Sequence, residues 1–231
     1  MKQLQSNPYP GRGMIIGMTP SSSHFVQVYW IMGRSENSRN RAFQKENNDV
    51  RNIAFDESKM TDPSLIIYYP IKSIGNYHII TNGDQTDTIL EGIKAGESLE
   101  KSLFKREYEP DAPHYTPRIS GLIDTSESRY SLSILKKAHT HVVGCQRYFY
   151  HYDSFVSGIG HCIHTYSSEI DGILTPFTGE PFEVELMDEI EDVRDHYWKL
   201  LNPENRISLL VKFIDTRNGD TEITILNKYQ I

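Results

Sequence analysis

The amino-acid sequence predicts an α+β fold in which strands predominate. Short apolar or alternating segments recur along the 231 residues, and turn-forming residues separate them. Helical periodicity is confined to the middle and the later part of the chain, with strand-like segments on both sides. Fourteen tyrosines and frequent isoleucine and valine also favour strands. No internal repeat or linker interrupts the chain, so we expect residues 1–231 to form a single domain.

The strand-like segments are short and regularly spaced. In chain order they are residues 14–18, 25–32, 50–55, 65–71, 77–81, 119–123, 146–152, 156–165, 182–186, 207–214 and 222–226. The turn Arg217-Asn218-Gly219-Asp220 joins the last two segments, and this pattern predicts a β-hairpin at the end of the chain.

Three segments have the periodicity of an amphipathic helix. They are residues 86–95, 98–107 and 188–201. In the first, Ile89, Leu90 and Ile93 share one face. Asn82 and Asp84 are available to cap its start.

Composition argues against several classes of protein. The chain has 24 Lys+Arg against 31 Asp+Glu, a formal net charge of −7, whereas general nucleic-acid and anionic-membrane binders need broad positive surfaces. No apolar run approaches the ~18 residues of a membrane span, and the first residues lack the apolar core of a signal peptide. Cys145 and Cys162 fit neither a zinc site nor a redox pair. We therefore expect a cytoplasmic protein with reduced thiols.

Several histidines lie in the second half of the chain. His139 and His141 would share one face of a strand, but no third metal ligand follows at a recognisable spacing. We expect hydrogen-bonded or surface histidines and no metal site.

A run rich in arginine follows the second predicted strand. It reads Gly33-Arg34-Ser35-Glu36-Asn37-Ser38-Arg39-Asn40-Arg41. Guanidinium groups suit bidentate binding of phosphate or carboxylate. Their concentration at a strand end, in a chain that is acidic overall, indicates a site for a small anion. A solvated basic loop is the alternative.

The strand at 77–81 leads into the first predicted helix through Asn82-Gly83. Gly83 permits a sharp turn, and the amide of Asn82 and the free N–H groups at the helix start suit an anion or a carbonyl oxygen. A capped strand-to-helix connection without a ligand would have the same pattern.

The segment 108–121 contains three prolines, which keep a loop extended. Glu109 and Asp111 are able to donate or accept protons, and Arg118 is able to bind an anion at the start of the next strand. A stiff loop with these groups is a plausible wall of a site, and a rigid surface turn is the alternative.

Tyr68 and Tyr69 are adjacent in the predicted strand 65–71. Neighbouring side chains on a strand point to opposite faces, so at most one of the two phenols enters a given site. A core aromatic is the alternative for either residue.

Together these motifs resemble the archaeal-type inosine monophosphate (IMP) cyclohydrolase family. The resemblance runs over most of residues 10–185, and its most specific parts are Thr81-Asn82-Gly83-Asp84-Gln85-Thr86-Asp87 and Thr116-Pro117-Arg118-Ile119-Ser120-Gly121. It implies an Ntn-hydrolase-like fold, a four-layer αββα sandwich. The implied reaction closes 5-formamidoimidazole-4-carboxamide ribotide (FAICAR) to IMP with loss of water, the last step of purine synthesis. No metal or organic cofactor is implied.

The resemblance also implies roles for the basic run. Arg34 and Arg39 match the family's Arg-Ser-x-x-x-Arg pattern and are expected to bind phosphate or polarise the formyl oxygen, with Arg41 as a further candidate. Tyr68 is expected to donate to the oxyanion or to orient the carboxamide. Tyr69 takes that role if the register differs by one residue.

The remaining implied roles fall in the two later motifs. Asn82 and Asp84 would hold the base or the ribose. Glu109 would shuttle the proton, and Arg118 would anchor the substrate or orient that carboxylate. With Tyr68 and Arg34, Glu109 completes the expected catalytic set.

Two alternatives stay open at this point. One is an Ntn-fold amidohydrolase or cyclohydrolase that acts on another nucleotide-like amide, since a fold does not define a function. The other is a catalytically silent nucleotide-binding module. Tyr68 and Glu109 beside anion-binding residues favour an enzyme, because a pure binder needs no poised acid. The expected partners are the nucleotide substrate and further copies of the chain, not nucleic acid or membrane.

Overall fold

Strands make up most of the regular structure, as the sequence predicts. A computed structural model describes residues 2–60, 63, 65–138 and 144–229. Its strands are β1 Gly13–Met18, β2 His24–Met32, β3 Ala42–Glu46, β4 Asp49–Ile53, β5 Tyr68–Ile74, β6 Tyr77–Thr81, β7 Arg118–Asp124, β8 Arg129–Lys137, β9 Cys145–Tyr152, β10 Ile159–His164, β11 Tyr166–Ile170, β12 Ile173–Pro176, β13 Phe182–Glu185, β14 Arg206–Asp215 and β15 Thr221–Asn227. Its helices are α1 Lys2–Ser6, α2 Glu36–Arg39, α3 Gln85–Lys94, α4 Leu99–Leu103 and α5 Ile190–Leu200. The α+β class is therefore confirmed.

The strands form two main antiparallel sheets. One has six strands in the order β13-β10-β1-β2-β14-β15, and the other has seven in the order β3-β4-β5-β6-β7-β8-β9. Strands β11 and β12 form a separate hairpin. The predicted C-terminal hairpin is confirmed, because β14 pairs with β15 from Ser208 opposite Asn227 to Ile214 opposite Thr221.

The two sheets pack face to face over a shared apolar core. Met14 and Ile16 of β1 and Tyr29 of β2 contribute from the six-stranded sheet, and Ile71 and Ile80 contribute from the seven-stranded sheet. These side chains alternate along each strand with residues that point to the opposite face. Each large apolar side chain that leaves water contributes about 1.5–3 kcal/mol, so this core is a main source of stability.

Helices cover the outer faces of both sheets. Val193 and Tyr197 of α5 pack in one cluster with Ile15 and Val28, the outward side chains of β1 and β2. Helices α3 and α4 cover the other sheet, where Ile89, Leu99 and Leu103 pack against Ile79 and Leu135. Over the described residues, no helix combines the length and the apolar character needed to cross a membrane.

A polar group interrupts the core between the sheets. Lys212 of β14 has no exposed surface, and its Nζ donates to Ser73 Oγ of β5 at 2.7 Å. Ser73 Oγ also lies 3.2 Å from Nδ1 of the buried His78. Burial lowers the pKa of Lys212 to about 8 against the opposing effect of Asp49. Burial and the charge of Lys212 lower the pKa of His78 to about 3.

Several element predictions are wrong or incomplete. The helix predicted over 98–107 ends at Leu103, and the strand predicted over 65–71 begins only at Tyr68 because Ile66 and Ile67 turn back to the carbonyl of Pro63. The sequence reading missed β3, β8, β11, β12, α1 and α2. Asp84 stands at the N-cap of α3 but makes no side-chain cap.

The prediction that the chain has no metal site concerns residues inside and outside the described ranges. His139 and His141 lie outside the described residues. Within the described ranges, no group of three or more His, Cys, Asp or Glu side chains is arranged to hold a metal ion.

Candidate active site

A cavity of about 380 Å³ lies at the end of the sandwich where β1, β5 and β7 begin and β2 ends. Its charged lining residues are Arg12, Arg34, Arg41, Glu109 and Asp111. Its polar lining residues include Tyr9, Ser35, Asn37, Ser38, His114, Thr116 and Tyr166. The volume falls within the range of about 300–1,000 Å³ that is usual for small-molecule sites.

A buried ion pair forms one wall of this cavity. Arg12 Nη1 and Nη2 donate to the two carboxylate oxygens of Glu109 at 2.9 and 2.8 Å, and the two side chains are 9% and 3% exposed. Arg12 Nη1 also donates to the carbonyl oxygen of Asn82 at 3.0 Å. Burial lowers the pKa of Arg12, but Glu109 together with Tyr68 and Tyr29 outweighs it, and the net pKa is well above the usual value. The pair therefore holds a fixed positive and a fixed negative group beside the cavity.

Gly11 sets the position of Arg12. Its backbone has φ of +74°, and a Cβ there would lie 2.3 Å from Thr165 Oγ1. The same hydroxyl oxygen accepts from the Arg12 backbone N–H at 3.2 Å. Only glycine fits this turn, and the turn directs the next side chain, Arg12, toward Glu109.

The arginine run divides between the cavity and another part of the surface. Arg34 and Arg41 line the cavity. Arg39 does not: its Nε donates to the backbone oxygen of Arg34, and its side chain borders a separate groove that contains Phe55 and Tyr229. We expected Arg34 and Arg39 to act together in one site, but only Arg34 lines the cavity. The short helix α2 turns the chain between them, so positions 34 and 41 face the cavity and position 39 does not.

Arg34 and Arg41 differ in how their charges are balanced. Arg34 stacks over the Tyr9 ring at 4.3 Å and pairs with Glu169 of β11. Arg41 is only 6% exposed, and its guanidinium donates to the backbone oxygens of Ser38 and Met32 at 2.8 and 3.2 Å. Among the described residues, no carboxylate forms a salt bridge with Arg41. Arg41 is therefore a buried cation that is available for an anionic ligand.

Tyr68 lies directly behind the cavity wall and does not line it. Its hydroxyl is 2.8 Å from the Tyr29 hydroxyl, and the Tyr68 residue is 5% exposed. Burial and the neighbouring Tyr68 raise the pKa of Tyr29, while the charge of Arg12 opposes them. Tyr29 thus stays neutral, and both phenols lie close enough to Arg12 to interact with its charge.

Tyr69 points to the opposite face of β5, as strand alternation requires. Its hydroxyl donates to Glu46 Oε2 at 2.9 Å, and Lys72 Nζ lies 4.1 Å from its ring centroid. Tyr69 does not line the cavity, so the structure does not bring it together with Arg12 or Glu109.

Asn82, Asp84 and Arg118 form a second layer behind the ion pair. The Asn82 amide oxygen accepts from the Ile119 N–H at 2.9 Å, and its Nδ2 donates to the Pro117 oxygen at 2.8 Å. Arg118 Nη1 donates to Asp84 Oδ1 at 2.8 Å. None of the three lines the cavity, although they were expected to contact the substrate directly.

Two arginines, Arg118 and Arg106, pair with Asp84 in that second layer. Burial raises the pKa of Asp84, but the charges and hydrogen bonds of Arg118 and Arg106 outweigh it and leave the pKa lowered. A Cβ at Gly83 would lie 2.6 Å from Arg118 Nη1 and 3.5 Å from Glu109 Oε1. Glycine at this position therefore lets the layer pack against the ion pair.

Several residues that line the cavity were not expected from the sequence, and Arg12, Thr116 and Tyr166 are the most relevant to its chemistry. Arg12 stands between two glycines in Gly11-Arg12-Gly13, and this spacing is a signal for a backbone that approaches other chain segments closely. Thr116 lies in the proline-rich loop, and Tyr166 opens β11. Nothing in the local sequence of Tyr166 distinguishes it from the other tyrosines.

The cavity can bind an anion and move protons in the same space. Arg34 and Arg41 supply positive charge, and Glu109 supplies a carboxylate held in one orientation by Arg12. Water has limited access, since Arg12, Arg41 and Glu109 are each less than 10% exposed. Electrostatic contacts are stronger in such a setting than in open solvent.

Comparison with known proteins places this geometry in a family. Residues 9–219 match the family described as IMP cyclohydrolase-like protein. A protein named IMP cyclohydrolase from Methanococcus maripaludis is 34% identical over 126 residues, which are 53% of this chain and 61% of that protein. Proteins with the same name from Methanocaldococcus jannaschii and Haloquadratum walsbyi are 32% and 30% identical, over 52% and 51% of this chain and 58% of each relative.

The pairwise matches thus span about 60% of the length of these curated relatives. The family match is longer and includes every element from the turn before β1 to the end of β14. It covers the whole candidate site, from Tyr9 to Leu174. The chain therefore belongs to the IMP cyclohydrolase-like protein family.

Proposed function

We propose that this protein is an IMP cyclohydrolase, which closes FAICAR to IMP with loss of water. The observation that carries the proposal is the cavity that combines Arg34 and Arg41 with the Arg12–Glu109 pair. A ribotide needs a cationic site for its 5′-phosphate and a proton-transfer group at its base, and this cavity offers both. Family membership and relatives named IMP cyclohydrolase support the same activity.

The chemistry asks little of the enzyme beyond position and charge. The carboxamide nitrogen attacks the neighbouring formyl carbon, and the C=O electron pair moves to oxygen. Both groups are on one imidazole ring, so much of the entropic barrier of an encounter is absent. The oxyanion must then be stabilised and protonated, and the resulting hydroxyl leaves as water while the formamido nitrogen loses its proton.

We assign phosphate binding to Arg34 and Arg41. Arg41 has no carboxylate partner in the described part of the chain, and Arg34 is partly exposed at the mouth, where Glu169 is its partner. A phosphate would replace Glu169 on Arg34. Arg39 is left out of the site because it borders another groove.

We assign the proton and oxyanion roles to the wall of the cavity. Glu109 exchanges a proton with the formamido nitrogen, and Arg12 orients it. Tyr29 and Tyr68 lie behind this wall and share one hydrogen bond, which uses one of their two hydroxyl protons, and we assign the other proton to a substrate oxygen that reaches past the wall. Asn82, Asp84 and Arg118 act as positioning residues through Arg12 and the 108–117 loop.

The wider proposal follows from the same resemblance. The two packed sheets with helices outside support an Ntn-hydrolase-like αββα sandwich. We further propose one domain over residues 1–231, a homo-oligomer, a cytoplasmic location and the last step of purine synthesis.

A direct spectrophotometric assay tests the activity. Purified protein is mixed with FAICAR, and the loss of the formamido substrate and the formation of IMP are followed. Turnover of FAICAR supports the proposal. Binding of IMP without turnover of FAICAR contradicts it and favours a nucleotide-binding module, and turnover of a different nucleotide-like amide alone favours another cyclohydrolase or amidohydrolase.

A further inference from the structure

A chain of hydrogen bonds joins Asp111 to the cavity through two hydroxyl groups. Thr116 Oγ1 donates to Asp111 Oδ2, and the same oxygen is hydrogen-bonded to the Tyr166 hydroxyl. Thr116 is 2% exposed and Tyr166 is 5% exposed, and all three residues line the cavity. These hydrogen bonds do not involve the Arg12 and Glu109 side chains, although Asp111 and Thr116 lie in the same loop as Glu109.

The protons in this chain have a definite direction. An ionised carboxylate only accepts hydrogen bonds, so Thr116 must donate to Asp111. The Thr116 oxygen then accepts from the Tyr166 O–H. The remaining lone pair of Tyr166 is left as an acceptor, and the side chain that carries it borders the cavity.

The hydrogen bonds of the Thr116 hydroxyl are not required to close the loop 108–117. Asp111 Oδ1 already accepts from the Thr116 backbone N–H at 2.6 Å, and the Glu109 N–H donates to the Thr116 carbonyl oxygen at 2.9 Å. These contacts do not use the Thr116 hydroxyl. The two hydroxyl groups thus connect the Asp111 carboxylate to a second point on the cavity wall, the Tyr166 hydroxyl.

The surroundings keep Tyr166 neutral. Burial raises its pKa well above the usual value, with Arg12 and Thr116 opposing and Asp111 and Glu109 adding to the rise. Tyr166 therefore stays a phenol at neutral pH and does not accumulate as a phenolate.

We propose that Tyr166, Thr116 and Asp111 form a proton relay that serves as general base for ring closure, a role that rests on the proposed function. As the carboxamide nitrogen attacks the formyl carbon, its proton moves to the Tyr166 oxygen. The Tyr166 proton moves to Thr116, and the Thr116 proton moves to Asp111. In the next step the sequence reverses, and the stored proton reaches the oxyanion and converts it to a hydroxyl. Glu109 then takes the formamido proton and passes it to the departing hydroxyl, which leaves as water. Tyr166 is the catalytic residue, and Thr116 and Asp111 are positioning residues that act through it.

Matched variants of Thr116 test the relay. T116V keeps the size of the side chain and removes the hydroxyl, and T116S keeps the hydroxyl. We expect kcat for FAICAR to fall about 100-fold in T116V, the usual size of a general acid–base contribution, with KM within about threefold. T116S should recover most of the wild-type kcat, which a purely structural role of the methyl group would not explain.

Two further variants complete the test. Y166F and D111N should also lower kcat by about 100-fold, whereas Y150F, which removes a phenol that bonds the Gly179 oxygen on the exposed surface, should not. Thermal unfolding of each variant identifies any that fail to fold, and the T116V/T116S comparison remains decisive in that case. Wild-type kcat in folded T116V overturns the relay alone. Absence of FAICAR turnover by the wild-type protein overturns the proposed function, and the relay with it.

Discussion

Arg12 and Glu109 are almost completely buried, and burial of two charges is unfavourable unless they are paired with good geometry. The two parallel N–H···O bonds and the third bond to the Asn82 carbonyl meet that condition. A buried pair of this kind adds little net stability compared with an apolar pair. Its position in the cavity wall is therefore better explained by its charge than by stability.

The first prediction concerns Glu109. E109Q removes the proton-transfer group and leaves the Arg12 charge without its partner. We expect turnover of FAICAR to fall by about 10²–10⁴-fold and the free energy of unfolding to fall by about 3–5 kcal/mol. Steady-state kinetics and chemical denaturation measure the two effects.

Glu107 provides the matched control, because it lies two residues away and is exposed. E107Q makes the same chemical change. It should alter the free energy of unfolding by no more than about 0.5 kcal/mol and turnover by no more than the corresponding factor of about two. Full activity in a folded E109Q protein would remove Glu109 from the mechanism.

The second prediction separates the two arginines. R41A should raise the KM for FAICAR and the Kd for IMP by about 10–100-fold, because a charge-assisted hydrogen bond to the phosphate is worth about 1.5–3 kcal/mol. R39A should change either constant by less than about twofold. Isothermal titration calorimetry with IMP measures binding directly. Equal effects of the two changes would contradict the assignment of Arg41 to the phosphate.

At the scale of single elements, strand β5 illustrates how backbone geometry selects one of two adjacent residues. Tyr68 faces the inter-sheet side, where it meets Tyr29, and Tyr69 faces Glu46 and Lys72 on the other side. Helix α2 has a comparable effect on the arginine run. Its single turn places Arg34 and Arg41 at the cavity and Arg39 at the separate groove. Local geometry thus decides which member of a repeated residue type reaches the site.

The third prediction uses this alternation. Y68F removes a hydroxyl of the tyrosine pair and should lower kcat by about 10²-fold, the usual effect of losing one donor at an oxyanion. Y69F, one residue along the strand, should leave kcat within about twofold. Near-wild-type kcat in Y68F, with a fall in Y69F, would reverse the assignment of the two faces.

At the scale of the whole molecule, the packing of two sheets buries Lys212 together with Ser73 and His78. The native pKa of Lys212 is about 8, and burial is the main cause. The unfolded chain restores the ordinary lysine pKa of about 10.4. Between these two values the unfolded state binds more protons than the native state. Burial of Lys212 is therefore destabilising. This unfavourable contribution is largest below the window and becomes smaller as the pH rises through it.

The fourth prediction follows from that sign. The free energy of unfolding of the wild-type protein, relative to K212M, should rise by roughly 2 kcal/mol between pH 7 and pH 9.5. Denaturant unfolding at the two pH values measures the difference. K94M, which replaces an exposed lysine on α3, should show no comparable change relative to wild type. A wild-type and K212M pair with the same pH dependence would show that Lys212 does not titrate in this window.

Much of the fold follows from local patterns. The strand-forming residues of β2 and β6 and the apolar faces of α3 and α5 predict those elements to within two residues of their observed ends. Strand β8 was missed even though Tyr130, Leu132 and Ile134 alternate with serines, since the turn before it contains no glycine or proline. The length predicted for helix α4 is too great. The charged residues after Leu103 are compatible with a helix, but they offer no apolar face that could be buried.

The site was predictable only in part. Arg34, Arg41 and Glu109 lie in motifs that stand out in the sequence, and all three line the cavity. Tyr166 has no such signal, because its role depends on Thr116, which lies 50 residues earlier in the chain. Arg39 borders another groove while Arg34 lines the cavity, and spacing alone does not show where a short helix directs each side chain.

The residue types, their spacing and the hydrophobic periodicity determined the α+β class, the family and the segments that carry the chemistry. These properties are local, so they are written in consecutive residues. Only the packing of the two sheets decided that Arg12 meets Glu109, 97 residues away, that Arg41 stays without a carboxylate partner in the described chain, and that a phenol from β11 joins the site. Side-chain contacts of this range depend on which faces are buried together, and burial is a property of the folded molecule.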